Sequence, residues 1–233
     1  MRLNSPLRSF LLLSAALAAC LGLLVVRFAI TGQISQLFLV RNLALGLLPL
    51  AFSLAALFVE RRNWRGGAAL LVVLSLVWLI FFPNSSYIFT DFIHLIQRGL
   101  DSDNPNARGL DTLLVWFDVI NRSLFAFAGH LMGLASLYVM HNLWRKEFGP
   151  WIGWLAVGAS CWAAGYGVFL GRFVRMSSWQ FFVDPAGSWQ RLLSNLPTAD
   201  SWLFSLAFGV FLAVSYFFVY VFKKHFFATK ETA

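Results

Sequence analysis

Long apolar runs, separated by short polar stretches, constrain the fold of this chain more than any other feature. The runs cover residues 9–26, 37–59, 67–82, 123–143, 151–171 and 202–222. A helix needs about 20 such residues to cross a bilayer, so each run is close to the required length. None of them alternates apolar and polar residues, as barrel strands do. The runs therefore predict an all-α, polytopic membrane bundle of about six transmembrane helices in one domain, residues 1–233.

The composition agrees with lipid as the main surroundings. Hydrophobic residues make up 59% of the chain and charged residues 12%, whereas soluble domains carry about 45–50% and about 25%. A net charge of +8 raises the question of nucleic acid, but no basic stripe has the spacing of a nucleic-acid reader. We expect the bilayer as a partner and no nucleic acid. Cys20 and Cys161 lie singly in apolar runs and are predicted to be packing residues.

The distribution of Lys and Arg predicts the orientation. With the N-terminus inside, the cytoplasmic segments hold 10 of these residues and the opposite segments hold 7, in the direction that the positive-inside rule requires. The first run resembles a signal peptide but continues to Val26, so we favour an uncleaved span over a cleaved leader. The prediction is an inner- or plasma-membrane protein with both termini cytoplasmic and with residues 83–112 and 172–201 outside.

The segment after Pro83 is amphipathic. Over about residues 85–100, polar side chains recur with helical spacing on one face and apolar side chains fill the other; the polar set is Tyr87, Thr90, Asp91, His94, Gln97 and Arg98. One interpretation is an interfacial helix whose polar face lies in water. The other is a chemical site, in which Asp91 and His94 share a proton or a metal ion. The spacing leaves both open.

Charged residues near the ends of the later runs suggest an anion site. Asp118 and Arg122 are four residues apart and can pair on a helix, as a structural or a functional ion pair. Arg172 and Arg175 share a helix face and, with Arg122, could bind phosphate or carboxylate in a bidentate way. The alternative is contact with lipid phosphates that needs no specific function.

Two further features of the later runs predict helix packing. His130 stands among apolar and small residues, which favours an interhelical hydrogen bond over a ligand role. Small residues recur every four positions in the fifth run, at Ala159, Ala163, Gly167 and Gly171. Such a row lets a neighbouring segment approach closely.

Two blocks of the chain resemble a known family. Residues 83–95, with the sequence PNSSYIFTDFIHL, are similar to its signature, and Gly171-Arg172-Phe173-Val174-Arg175 with Ser178-Trp179 is similar to a second block. The family is a bacterial integral membrane protein family known only as domain of unknown function number thirteen sixty-one. The resemblance runs from about the second helix to the last. It implies a membrane location and a shared fold, and it carries no assigned reaction.

The sequence contains no nucleotide-binding, metalloprotease or hydrolase-elbow motif, which excludes a pump driven by its own ATPase. The first hypothesis is an enzyme or binder, on the extracytoplasmic face, for an anionic lipid, an isoprenoid phosphate or a cell-envelope intermediate. In it Arg122, Arg172 and Arg175 hold the anion, Asp91 or His94 acts as general base or metal ligand, and Asn84, Tyr87, Thr90 and Asp118 support them. The alternatives are a non-catalytic partner subunit of a membrane complex and a small transporter. The sequence does not identify a cofactor.

Overall fold

The computed structural model describes residues 5–34, 36–62, 66–93, 110–195 and 198–223. Every regular element in these ranges is helical. The long helices are α1 (Ser5–Thr31), α2 (Leu37–Arg62), α3 (Gly67–Phe81), α5 (Leu110–Phe148), α6 (Pro150–Phe169) and α9 (Ala199–Phe222). The short ones are α4 (Asn84–Tyr87), α7 (Gln180–Val183) and α8 (Pro185–Ser194), with a 3-10 helix at Ile88–Phe92 and a π-helix at Leu170–Val174.

Six helical stretches in the described residues are long and apolar enough to cross a membrane. They are Leu13–Thr31, Leu37–Arg62, Gly67–Phe92, Thr112–Phe148, Pro150–Val174 and Ala199–Phe222. The prediction of an all-α polytopic bundle is therefore confirmed. The predicted boundaries differ most at the third and fourth spans, which are both longer than the apolar runs that indicated them.

The third span continues through Pro83 instead of ending there. Phe82 (φ −55°, ψ −38°) and Pro83 (φ −56°, ψ −33°) both keep helical backbone angles. Proline removes one backbone donor, but its fixed φ is compatible with a helix. Helical backbone angles therefore continue from α3 into α4 and the 3-10 helix, both of which pack against α2 and α5.

The long helix α5 is the centre of the bundle, in contact with α1, α2, α4, α6 and α9. One apolar core is centred on Trp78 of α3, which is fully buried. Its ring stacks on Phe82 with the ring centres 4.5 Å apart, and its indole N–H donates to the Ser136 hydroxyl of α5. Both predicted packing cysteines, Cys20 and Cys161, are buried free thiols. By contrast, α3 packs against α2 and has little contact with α6.

The two ends of the bundle differ in their polar residues. One end holds the C-termini of α2 and α5. There Lys146 forms an ion pair with Glu60, and the His141 Nδ1 lies 2.6 Å from the Tyr216 hydroxyl. The other end carries residues 84–93 and the loops on both sides of α8, and it is called the signature end below. Most of the residues predicted as functional are at the signature end.

Candidate functional site: a polar cleft at the signature end

Residues 85–92 of the amphipathic segment are buried or half-buried in the protein, whereas Ile93 is 39% exposed. Ser85 and Ser86 are each 1% exposed, Ile88 is 0% exposed and Asp91 is 4% exposed. The predicted helical conformation is confirmed for this part, as α4 followed by a tighter 3-10 turn. The interpretation as an interfacial helix with its polar face in water is wrong for Asp91, because α2 and α5 cover the segment. His94 and residues 95–100 lie outside the described residues.

Glycines of the two flanking helices allow this burial. A Cβ atom added to Gly133 would lie 2.7 Å from the Ser85 Cβ, and one added to Gly129 would lie 2.6 Å from the Ser85 carbonyl oxygen. A Cβ on Gly46 of α2 would be 3.3 Å from the Ser85 Cα. The backbone at Ser85 therefore approaches α2 and α5 to distances that require residues without a side chain.

The row of small residues in the fifth span packs on the same segment. A Cβ added to Gly167 would lie 3.0 Å from the Pro83 Cβ, and one added to Gly171 would lie 3.0 Å from a ring carbon of Tyr87. The Tyr87 hydroxyl also donates to the Gly171 carbonyl oxygen over 3.4 Å. The predicted close approach is confirmed for Gly167 and Gly171, where the neighbour is the signature segment, whereas Ala159 is exposed.

Hydrogen bonds join the two blocks that are separate in sequence. The Asn84 Nδ2 donates to the Ser178 Oγ over 3.0 Å and to the Phe81 carbonyl oxygen over 3.1 Å. On the other side of α4, the Ser86 Oγ and the His130 Nδ1 are 2.9 Å apart. The predicted interhelical hydrogen bond of His130 is therefore confirmed. Together these bonds fix the segment between α5 and the loop after the π-helix.

Asp91 brings together residues from three other elements. Its Oδ2 accepts a hydrogen bond from the Asn42 Nδ2 over 3.0 Å, and its Oδ1 lies 3.5 Å from the Arg172 Nη1. Its backbone carbonyl accepts from the Arg122 Nη1 over 2.8 Å. Arg122 is 2% exposed, with its guanidinium 5.5 Å from the centre of the Phe38 ring. Asp91 thus holds Arg172 at the edge of the bundle, while Arg122 supports Asp91 from within.

Asp118 has a partner that the sequence did not indicate. Its carboxylate accepts two hydrogen bonds from Arg27 of α1, at 2.6 Å from Nε and 3.1 Å from Nη2. Such a bidentate arrangement is among the strongest that charged side chains make. Next to it, the Asn121 Nδ2 donates to the Gln36 Oε1 over 2.8 Å. The Arg27 contact attaches the first span to α5, and the Gln36 contact attaches the residue before α2 to the same helix.

Arg175 ends the π-helix in an unusual backbone conformation. Its φ of 58° is in the left-handed region, which residues other than glycine seldom adopt. Its backbone N–H donates a hydrogen bond to the Leu170 carbonyl oxygen. Short π-helical turns are frequent at functional sites. The turn directs residues 176–179 back across Pro83 and Asn84. The Arg175 side chain is exposed and, among the described residues, is not one that lines the cleft.

A cleft of about 370 Å³ lies where the two blocks meet. Its walls come from α2, the signature segment, the end of α6 and the following loop: Arg41, Asn42, Leu45, Pro83, Asn84, Tyr87, Gly167, Gly171 and residues 176–179. The described lining holds one cation, Arg41, and no acid. The remaining polar walls are amides and hydroxyls that can donate hydrogen bonds. The arrangement suits an anionic or strongly hydrogen-bonding group.

The predicted site residues divide into groups. The first group is Asp91 with Arg122 and Arg172, which both contact it. The second group, Asn84 and Tyr87, lines the cleft. The Thr90 Oγ1 donates to the Tyr87 carbonyl oxygen over 2.7 Å. Asp118 lies at the α1–α5 contact. Within the described ranges, no three His, Cys, Asp or Glu side chains are grouped closely enough to bind a metal ion.

Sequence reasoning missed Arg41 and Asn42. The available signal was their position: two adjacent polar residues inside an otherwise apolar run, where polar groups are costly and often functional.

Fold and cleft define a class: a multi-pass helical membrane protein with a polar cleft at one end of its bundle. The chain belongs to the family described as "Protein of unknown function (DUF1361)", whose model matches residues 41–215. The match confirms the resemblance, begins at Arg41 of the cleft and includes both blocks. No curated protein and no solved structure matches the chain.

Proposed function

We propose that the cleft binds the anionic headgroup of a lipid or of a cell-envelope intermediate. The observation that carries this proposal is the convergence of both blocks on one cleft whose only charged lining residue, among those described, is Arg41. A polar cleft at the end of a membrane bundle is accessible to headgroups at the level of the interface. Arginine binds phosphate and carboxylate well because its guanidinium offers several donors in one plane.

In this proposal Arg41 contacts the anion directly and the Ser178 hydroxyl adds a hydrogen bond. Asn84 and Tyr87 support the wall of the cleft, because the Asn84 Nδ2 already donates to Phe81 and Ser178 and the Tyr87 hydroxyl donates to Gly171. Arg172, with a side chain that is 22% exposed, supplies a second positive charge beside the cleft. Asp91 is a positioning residue, because its two oxygens already contact Asn42 and Arg172. The buried Arg122 keeps Asp91 in place, and the exposed Arg175 is left as an outer contact for the anion.

We also propose that the signature end faces away from the cytoplasm. The support is the excess of Lys and Arg in the segments at the opposite end. A topology reporter fused after Ala233 is expected to report a cytoplasmic terminus. A reporter that is active only outside would reverse the orientation.

Native mass spectrometry of the full chain in mild detergent tests the binding proposal. The probes are phosphatidylglycerol and phosphatidylcholine at equal concentration, since they differ in headgroup charge but not in their chains. The variants are Arg41→Gln and Arg172→Gln, with Arg191→Gln of α8 as the matched control, because it is an exposed arginine at the same end. Thermal melting checks that each variant is folded.

The wild type is expected to retain the anionic lipid in preference to the neutral one. Arg41→Gln and Arg172→Gln should reduce that preference several-fold, and Arg191→Gln should leave it unchanged. Equal retention of both lipids by the wild type, or an equal loss in the control variant, would contradict a specific site and indicate general attraction to basic residues.

A further inference from the structure

A second, apolar cavity lies directly beside the polar cleft. Its volume is about 160 Å³, and five of its wall residues are also walls of the cleft, among them Pro83, Gly167 and Ser178. Its other walls include Leu79 and Ile80 of α3 and Ala163 of α6. The two spaces are therefore adjacent, and the lining of the second is mostly apolar whereas that of the cleft is mixed.

The apolar cavity occupies a gap between two membrane spans. It lies between α3 and α6, which make little contact with each other, and the small side chains at Ala163 and Gly167 keep it open. Further along α3, Leu70, Val72 and Leu76 are exposed on the outside of the bundle. Apolar side chains exposed on a membrane span are typical of lipid contact. Val72 and Leu76 are four residues apart and share a helix face with Ile80 of the cavity, so the gap borders this apolar outer surface.

The size of the cavity selects its occupant. A transmembrane helix is about 10–12 Å across, whereas this cavity of about 160 Å³ lies between two neighbouring spans of one bundle. Such a space suits a single hydrocarbon chain better than a helix of a partner protein. A small soluble anion would fill the polar cleft and leave the apolar space empty.

We infer that the ligand is an amphiphile, an anionic headgroup joined to a long hydrocarbon chain, whose headgroup lies in the cleft and whose chain leaves laterally between α3 and α6. The inference rests on the proposed function, since it assigns the cleft to the headgroup. It adds a route of entry from within the bilayer and a class of substrate, the lipid phosphates. Ile80 and Ala163 then contact the chain, and Arg41 contacts the phosphate.

The test compares three probes on the purified full-length protein: farnesyl monophosphate, inorganic phosphate and farnesol. Ala163→Phe fills the apolar cavity from α6, and Ile80→Trp fills it from α3; neither residue lines the polar cleft. Ala159→Phe is the matched control, because it adds the same side chain one turn earlier on α6 at an exposed position outside the cavity. Arg41→Gln reports on the headgroup site.

The wild type should bind farnesyl monophosphate at least tenfold more tightly than inorganic phosphate or farnesol. Ala163→Phe and Ile80→Trp should raise the Kd for farnesyl monophosphate about tenfold and leave that for inorganic phosphate unchanged. Arg41→Gln should weaken the binding of both phosphates, and Ala159→Phe should change neither.

Two results would overturn the inference, and they separate it from the proposed function. If both cavity-filling variants bind farnesyl monophosphate as the wild type does while Arg41→Gln weakens it, the headgroup site stands and the lateral route is wrong. If wild type binds neither phosphate, or if Arg41→Gln has no effect on either, the headgroup site itself is wrong.

Discussion

Gly133→Ala should separate the signature segment from α5. The added Cβ would lie 2.7 Å from the Ser85 Cβ and still closer to its Oγ, whereas ordinary contact begins near 3.4 Å, so the gap must widen by about 0.7 Å or more. Ser85 is 1% exposed and is held on its other side by Gly46, so it has little room to move. Overpacking of this kind costs about 1–3 kcal/mol.

The assay is the midpoint of thermal unfolding in detergent, read by size-exclusion chromatography. For a chain of this size, about 1–3 kcal/mol corresponds to a decrease of roughly 2–12 °C. Gly158→Ala is the control, because a Cβ there meets nothing within 4 Å. It should keep or raise the midpoint, because alanine has a higher helix propensity than glycine. A decrease for Gly158→Ala as large as that for Gly133→Ala would mean that the contact with Ser85 does not set the effect.

A double-mutant cycle makes the reasoning refutable. Ser85→Gly removes the atoms that the new methyl group would meet, at the cost of about 1 kcal/mol for a glycine in a helix. The double variant Ser85→Gly with Gly133→Ala should therefore lose less free energy of unfolding than the two single variants together, by about 1 kcal/mol or more. Strict additivity of the two changes would refute the close approach of Gly133 to Ser85.

Two further variants test the other contacts that hold the bundle together. Asp118→Leu leaves the buried Arg27 without this carboxylate and should destabilise the folded protein by about 3–5 kcal/mol. The double variant Arg27→Met with Asp118→Leu should recover most of the loss in thermal midpoint. No recovery would argue against a direct pair. Gly167→Leu should greatly lower the yield of folded protein, since Pro83 occupies the space for its side chain, whereas Gly158→Leu should be tolerated; equal yields of the two in detergent would count against that packing.

The fold class could be predicted from the sequence because each span satisfies its own backbone and needs only a long apolar run. The ends of the spans were harder to predict. The third apolar run ends just before Pro83, but the backbone angles of Pro83 are helical, so apolar length alone underestimates the third span. The fourth span begins before its apolar run because Asp118 pairs with Arg27 and Arg122 donates to the Asp91 carbonyl oxygen, contacts that hydropathy does not represent.

The candidate site was predicted in part. Helical spacing selected Asp91, Tyr87 and their neighbours. The structure brings Asp91 to Arg172, a contact that the sequence left open. The Arg27 partner of Asp118 and the Asn42 partner of Asp91 were missed. These pairs are separated along the chain by 91 and 49 positions, so no local sequence pattern indicates them. The role of the glycines in holding Ser85 also depends on tertiary contacts alone.

The most direct test of the central claim, a specific headgroup site in the cleft, is site-specific photo-cross-linking in native membranes. In the test protein a benzoylphenylalanine replaces Trp179, which lines the cleft and is 49% exposed. In the control it replaces Trp189 of α8, which is 58% exposed at the same end and is not among the described lining residues of the cleft. The cross-linked lipids are then identified by mass spectrometry. We expect anionic lipids to be several-fold enriched at position 179 relative to position 189. The same lipid composition at both positions would contradict the claim that the cleft selects an anionic headgroup.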